Sequence, residues 1–343
     1  MQIARIVLTL VCTASLGGCV SSMLASQLAT APNKSGVKAL FADSPIVRHG
    51  PMAYRDSWTV NVASPPARLA VSAIEPGDYG FVYELVVEYP KGSVPHIASF
   101  NAWWRSAAEV SVGQEPARGT VLLLHGYLQN RAFLVPWAIA LAGHGYRCVV
   151  VDLRGHGDST GEHIGFGAFE ARDISLVIDD LGRRGWDVSR VGLFGVSYGA
   201  SIAMLAAGRD ARIATVVALE PFSSAERAIP ELMRAAFPER AKGITDAQFA
   251  AAHAKVAKVA NYDWGEADIP AALARSRAPV LFVHGEADRW LPPSHSRELA
   301  EVAPEGSVLV IEPRDNHVTL PLQLVPLIPR VREWFDENLA AKP

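Results

Sequence analysis

Cysteine is scarce in this chain, with only Cys12, Cys19 and Cys148 among 343 residues. A disulfide-stapled scaffold is thereby excluded, because two of the three sit at the extreme N-terminus. Charge of one sign is also lacking: 32 basic side chains oppose 35 acidic ones, and the net charge of −3 gives nucleic acid no footing. There is no internal repeat, no long charge run and no low-complexity tract. The apolar run Ile6–Leu16 is too short to span a bilayer. Nucleotide chemistry lacks its marks as well. The glycine-rich stretch Arg154–Gly161 has Thr160 where a dinucleotide fingerprint needs its third glycine, and no Walker lysine flanks it. No cofactor and no metal are implied. What the chain has is apolar bulk, 50% hydrophobic residues against 20% charged, enough to bury a sizeable core.

The N-terminus has the layout of a secretory signal: one positive side chain in Met1–Arg5, the apolar Ile6–Leu16, then Leu16-Gly17-Gly18-Cys19. Those last four residues resemble a bacterial lipoprotein box, which implies that residues 1–18 are removed and that Cys19 is the lipid attachment site. By the same resemblance, Val20 after the cysteine implies an exported protein held at the outer membrane of a Gram-negative host. The segment 19–78 is expected to be a tether and an N-terminal arm, since SPIVRHGP and VASPPAR are broken by proline.

Organised structure is expected over 79–343. Phe81–Tyr89 and Ile97–Trp104 read as strands, and Thr120–Leu124 as a strand buried on both faces. A helix over Arg131–Ala142 and a strand over Tyr146–Leu153 follow. Phe169–Leu181 is helical, with Ile174, Val177, Ile178 and Leu181 on one face. Val191–Phe194, Ile213–Leu219, Val280–Val283 and Val308–Ile311 are further strands; Ser294–Val302 and Leu322–Leu339 are helices. Strands alternating with helices predict an α/β fold with a mainly parallel, doubly wound sheet and functional residues at the strands' C-terminal ends. Ser223–Glu266 interrupts the alternation as a small helical insertion.

The chemistry centres on Gly195-Val196-Ser197-Tyr198-Gly199, a serine between two glycines at a strand-to-helix junction. That is the pattern of a nucleophile elbow, where the glycines remove collisions and the turn lifts the hydroxyl above the sheet. A serine needs a base, and the base needs a carboxylate to orient it. Of ten histidines, His317 stands just past the last strand, where a loop can reach over the sheet. His125 and His284 each end a strand before a glycine, a placement that suits shaping a turn. Asp288, after the penultimate strand, is the leading acid, and Glu220, after an earlier strand, is its main rival. Asp315 and Glu286 are weaker candidates. The oxyanion donors are expected to be the backbone N–H groups of Tyr198, next to the nucleophile, and Tyr127, in the loop after Leu124.

HGY, DLRGHGDST, GVSYGA, HGEAD and the final His317 resemble the α/β-hydrolase superfamily, over about Phe81 to Leu339. The RGHGDS segment with a compact lid resembles the serine aminopeptidase and monoacylglycerol-lipase-like branch. The resemblance implies that Asp152, Arg154 and His156 shape the turn after their strand. The expectation is a serine hydrolase that cleaves small carboxylic esters, with amides and thioesters open to the same chemistry, and that meets the membrane through its N-terminal lipid. A peptidase of this fold and a non-catalytic binding lipoprotein are the alternatives. The insertion 223–266 is expected to act as a lid, with Leu232, Met233, Ala236 and Phe237 on one apolar helix face and Phe249, Val256 and Val259 on another.

Overall fold

Alternation inside an apolar strand decides the architecture. In β-geometry, neighbours point to opposite faces, and Leu122 and Leu124 lie in one buried cluster while Val121 and Leu123 lie in another. A sheet whose two faces are both apolar must be covered twice.

The computed structural model describes residues 17–34, 44–111 and 116–339. The chain begins with α1 (Gly17–Ala29), α2 (Pro45–His49), β1 (Asp56–Val62) and β2 (Ala67–Ile74), then β3 (Val82–Glu88) and β4 (His96–Trp103). The alternating part runs through β5 (Thr120–Leu124), α3 (Val135–Ala142), β6 (Arg147–Val151), α4 (Glu170–Arg183), β7 (Val191–Val196), α5 (Tyr198–Ala207) and β8 (Ile213–Leu219). The insertion holds α6 (Ala225–Ala236), α7 (Pro238–Ala241) and α8 (Asp246–Ala260). Then come α9 (Ile269–Arg275), β9 (Val280–Gly285), α10 (Ser294–Val302), β10 (Val308–Glu312) and α11 (Leu324–Asn338).

Eight strands form one sheet in the order β1-β2-β6-β5-β7-β8-β9-β10, antiparallel at β1–β2 and β2–β6 and parallel from β6 onward. This is the expected mainly parallel sheet. α3 and α11 cover one face through Trp137, Ile139, Val331 and Phe335; α4, α5, α9 and α10 cover the other through Ile174, Ile178, Ile202, Leu273 and Leu299. Each such side chain taken wholly out of water contributes about 1.5–3 kcal/mol. Among the described residues, no helix is long and apolar enough to cross a membrane.

One expectation is corrected. The described parts of the segment 19–78, residues 19–34 and 44–78, are built into the fold rather than strung out as a tether and arm, so the sheet begins at Asp56 and not near residue 79. The prolines of VASPPAR sit in the turn between β1 and β2, where proline ends a strand without disordering it. Upstream, the small residues of α1 let it lie close against α8: Leu24, Ala25 and Ala29 are buried, and Lys255 Nζ donates to the hydroxyls of Ser21 and Ser22 at 2.9 Å. The chain after α1 is stitched to the glycine-rich loop by Ala31 N–H to Glu162 O (3.0 Å) and Asn33 N–H to Gly155 O (2.9 Å). β3 and β4 fall where strands were expected and pair with each other in a separate two-stranded sheet. Exposed Glu84, Val86 and Glu88 on β3 explain why it stays out of a sheet buried on both faces. Residues 1–16 of the signal lie outside the described residues, as does the side chain of Cys19, whose backbone falls in the first turn of α1.

Candidate active site

Ser197 joins β7 to α5 with φ 51° and ψ −111°, a conformation that side-chain-bearing residues rarely adopt. The glycines around it are obligatory. A Cβ on Gly195 would sit 2.5 Å from Ala200 Cα, and one on Gly199 would sit 2.1 Å from Leu124 O. The turn is pinned by Ser197 N–H to Leu219 O at 2.7 Å. Tyr198 opens α5, so its N–H belongs to the first turn, where backbone donors have no intrahelical partner.

The loops after β9 and β10 are interlocked, which brings an acid and a base from different strands to one place. Gly285 leaves only 2.2 Å between its virtual Cβ and Asp315 O, and Ala287 N–H donates to Asp315 O at 3.0 Å. As a result His317 Nδ1–H faces Asp288 Oδ2 at 2.7 Å, and His317 Nε2 faces Ser197 Oγ at 3.0 Å. Asp288 is held as an acceptor by the N–H groups of Trp290 (2.9 Å) and Leu291 (3.0 Å) on its other oxygen. Burial disfavours its charge, but His317 and His284 outweigh burial and hold it well below the usual carboxylate range. The hydroxyl, the imidazole and the carboxylate thus form an unbroken hydrogen-bonded chain.

Glu220 also reaches this imidazole, with Oε2 3.5 Å from His317 Nδ1. Both sequence candidates for the acid therefore converge on one ring, and only Asp288 makes the hydrogen bond. Asp315 turns away to accept from Tyr89 Oη, Thr319 Oγ1 and Gln323 Nε2, each at 2.9 Å. Glu286 is engaged by Arg297 at 2.8 Å. Ligand atoms of Glu220, Asp288 and His317 lie within 4.8 Å of one another. A cation held by all three would need Nδ1 without its proton, which would break the path to Ser197.

Tyr127 follows β5 in a loop shaped by His125, whose Nε2 accepts from Leu153 N–H at 3.0 Å while its Nδ1–H donates to Gly126 O at 2.8 Å. Gln129 Oε1 accepts from Gly126 N–H at 2.9 Å, and Leu128 takes φ 61°. The rings of Tyr127 and Tyr198 are 6.0 Å apart, edge to face, so the two residues expected to supply the oxyanion donors are neighbours.

Asp152 and Arg154 do structural work. Asp152 accepts from Arg131 N–H (2.6 Å), Asp158 N–H (2.8 Å) and the Arg131 guanidinium. Arg154 grips Asp173 with two bonds of 2.9 and 2.7 Å and donates to Pro65 O at 2.9 Å. His156 Nδ1–H donates to Arg154 O at 2.9 Å.

Three contributors were missed by sequence reasoning. His284 does more than shape a turn: its Nε2–H donates to Leu291 O at 2.8 Å and lies 3.2 Å from Asp288 Oδ2. The i,i+4 spacing of His284 and Asp288 in HGEAD was the available signal. Asn316 caps the His317 turn by accepting from Val318 and Thr319 N–H (2.9 and 3.0 Å), and its Nδ2 donates to Pro95 O at 2.9 Å. Tyr89, beyond β3, reaches the same turn through Asp315.

Residues 121–325 match the model of the Alpha/beta hydrolase family. The chain belongs to that family. A curated relative, the uncharacterized protein YqkD of Bacillus subtilis (strain 168), is 24% identical over 206 residues, which are 58% of this chain and 64% of that one. Among solved structures, this alpha/beta hydrolase is similar to 2,6-dihydroxy-pseudo-oxynicotine hydrolase, with TM-score 0.57 and 18% identity over 83% of this chain and 68% of the other. An esterase of Pyrococcus furiosus gives TM-score 0.51 and 18% identity over 78% and 98%. The acylaminoacyl peptidase of Pyrococcus horikoshii gives 0.53 and 14% over 84% and 42%. At these identities the likeness speaks for the alpha/beta hydrolase fold alone.

Proposed function

We propose that this alpha/beta hydrolase is a serine hydrolase that cleaves small carboxylic esters through an acyl-enzyme. The observation that carries the reading is the continuous path from Ser197 Oγ through His317 (3.0 Å) to Asp288 (2.7 Å). His317 Nε2 takes the Ser197 proton as the oxygen attacks the substrate carbonyl, and Asp288 steadies the imidazolium. The negative oxygen is received by the N–H groups of Tyr127 and Tyr198. Collapse expels the alcohol with the proton from His317. Water then attacks the acyl-enzyme with His317 as base, releasing the acid and restoring Ser197. Amides and thioesters are substrates for the same steps. The insertion 223–266 acts as the lid that chooses the acyl group. Leu232 and Met233 on α6 pack toward the core, Phe249 and Val256 on α8 are buried, and Val259 faces solvent. A lipid on Cys19 holds the enzyme at the membrane.

Ser197→Ala should keep the fold and lose turnover by about 10³-fold or more. Fluorophosphonate labelling followed by peptide mapping checks the assignment: one adduct on Ser197 in the wild type and none in the variant is the expected result. Labelling of the variant at the wild-type rate contradicts it.

A further inference from the structure

Glu220 is the one acid beside the triad whose placement the steps above leave unused. It directly follows β8 with φ 51°, and its N–H is fixed to Val283 O at 2.9 Å. Two residues on, Ser201 Oγ bonds both backbone groups of Phe222, at 3.0 and 3.1 Å. Strain held this firmly turns the side chain inward. The residue is 0% exposed, Oε2 lies 3.5 Å from His317 Nδ1, and neither carboxyl oxygen has a hydrogen-bond partner. An ionised carboxylate without a donor is costly in such a place, and a neutral acid is not. Burial first, then the charges of Asp288 and Asp315, raise Glu220 well above the carboxylate range; the nearby Gly285 amide, which makes no hydrogen bond to either oxygen, opposes them least.

We propose that Glu220 is a positioning residue of the triad, a second acid beside His317 that takes over the Nδ1 contact when Asp288 cannot make it. The inference rests on the serine-hydrolase reading. The two acids divide the work by their surroundings. Asp288 has two backbone N–H donors and two imidazoles, so the single charge of the pair settles there. The titratable groups around the pair are His284 and Asp288 from β9 and its loop, and Asp315 and His317 from the loop after β10. Neutralising Asp288 removes the nearest repulsion, and Glu220 can then ionise against the imidazolium.

The test is ester hydrolysis by the wild type, Glu220→Gln, Asp288→Asn and the double variant between about pH 6 and 10, with fluorophosphonate labelling alongside. Glu220→Gln should lose less than about tenfold, Asp288→Asn about 10²-fold at neutral pH, and the double variant about 10²-fold more. Activity of Asp288→Asn should climb at a higher pH than the wild type, as Glu220 loses its proton, and the double variant should lack that climb. Equal loss in Asp288→Asn and the double variant at every pH overturns the proposal. A wild type that neither hydrolyses esters nor labels at Ser197 overturns the serine-hydrolase reading instead. Should the Asp288 variants fail to fold, the infrared difference between wild type and Glu220→Gln at neutral pH decides. A carboxylic-acid carbonyl band unique to the wild type supports the proposal, and its absence refutes it.

Discussion

Two buried histidines outside the triad resist protonation in the folded state. Burial lowers His125 to about 4, and burial together with the neighbouring His125 lowers His156 to about 3, from an ordinary value of 6.5. The unfolded chain binds a proton at each below about pH 6.5, while the folded protein refuses until pH 4 or 3. Within that window the unfolded state holds more protons, so stability falls as pH falls, by about 1.4 kcal/mol per unit for each group. Glu220 and Asp173, raised by burial, hold protons in the folded state and act in the opposite sense, so the histidine contribution is read as a difference between variants. Relative to the wild type, the denaturant midpoint of His156→Asn should rise as pH falls from about 6.5 to 4, and a difference that stays constant across that range contradicts the assignment. At this scale the sequence was most legible where covalent order dictates chemistry. A serine between glycines and a histidine after the last strand are visible without coordinates. Which acid bonds the imidazole was not, because Asp288 and Glu220 differ only by 2.7 against 3.5 Å in space.

At the scale of elements, the periodic segments were legible and the attachments were not. α4 declares itself through Ile174, Val177, Ile178 and Leu181 on one face, all fully buried. β1, β2 and α1 did not, since alanine and serine give α1 no strong stripe and prolines mask the hairpin turn. The β3–β4 pair was seen as strands but not as a clasp on the His317 turn, made by Tyr83 Oη to Leu322 O (2.6 Å), Asn316 to Pro95 O and Tyr89 to Asp315. The Tyr89 hydroxyl donates to a carboxylate, a bond whose loss costs about 1.5–3 kcal/mol. Tyr89→Phe should thus lower kcat severalfold with little change in KM, alongside a modest fall in melting temperature. A variant with unchanged kcat would show that the clasp does not steady His317. Deleting the chain through residue 34 should uncover the buried Ala252 and Val256 of α8. Faster proteolytic cleavage within 246–260 and a lower melting temperature are the expected signs, and unchanged resistance would mean that α1 does not support the lid.

For the whole molecule, the proposed lipid anchor on Cys19 predicts that Cys19→Ser moves the protein from the membrane to the soluble fraction, checked by fractionation and intact-mass analysis. A mature chain with an unmodified cysteine contradicts it. The contact of Gly199 with Leu124 O, where an added methyl carbon would lie at 2.1 Å, reaches further than the elbow itself. It seats the start of α5, next to Ser197, against the end of β5, the strand that leads to Tyr127, so the parts that carry the proposed nucleophile and the proposed oxyanion donors are packed directly on each other. Such a centre cannot be retuned by small steps from inside, because its smallest step is already a collision. Under the proposed function, a change in what is accepted would therefore have to come from the parts around it, the insertion 223–266 and the β3–β4 pair.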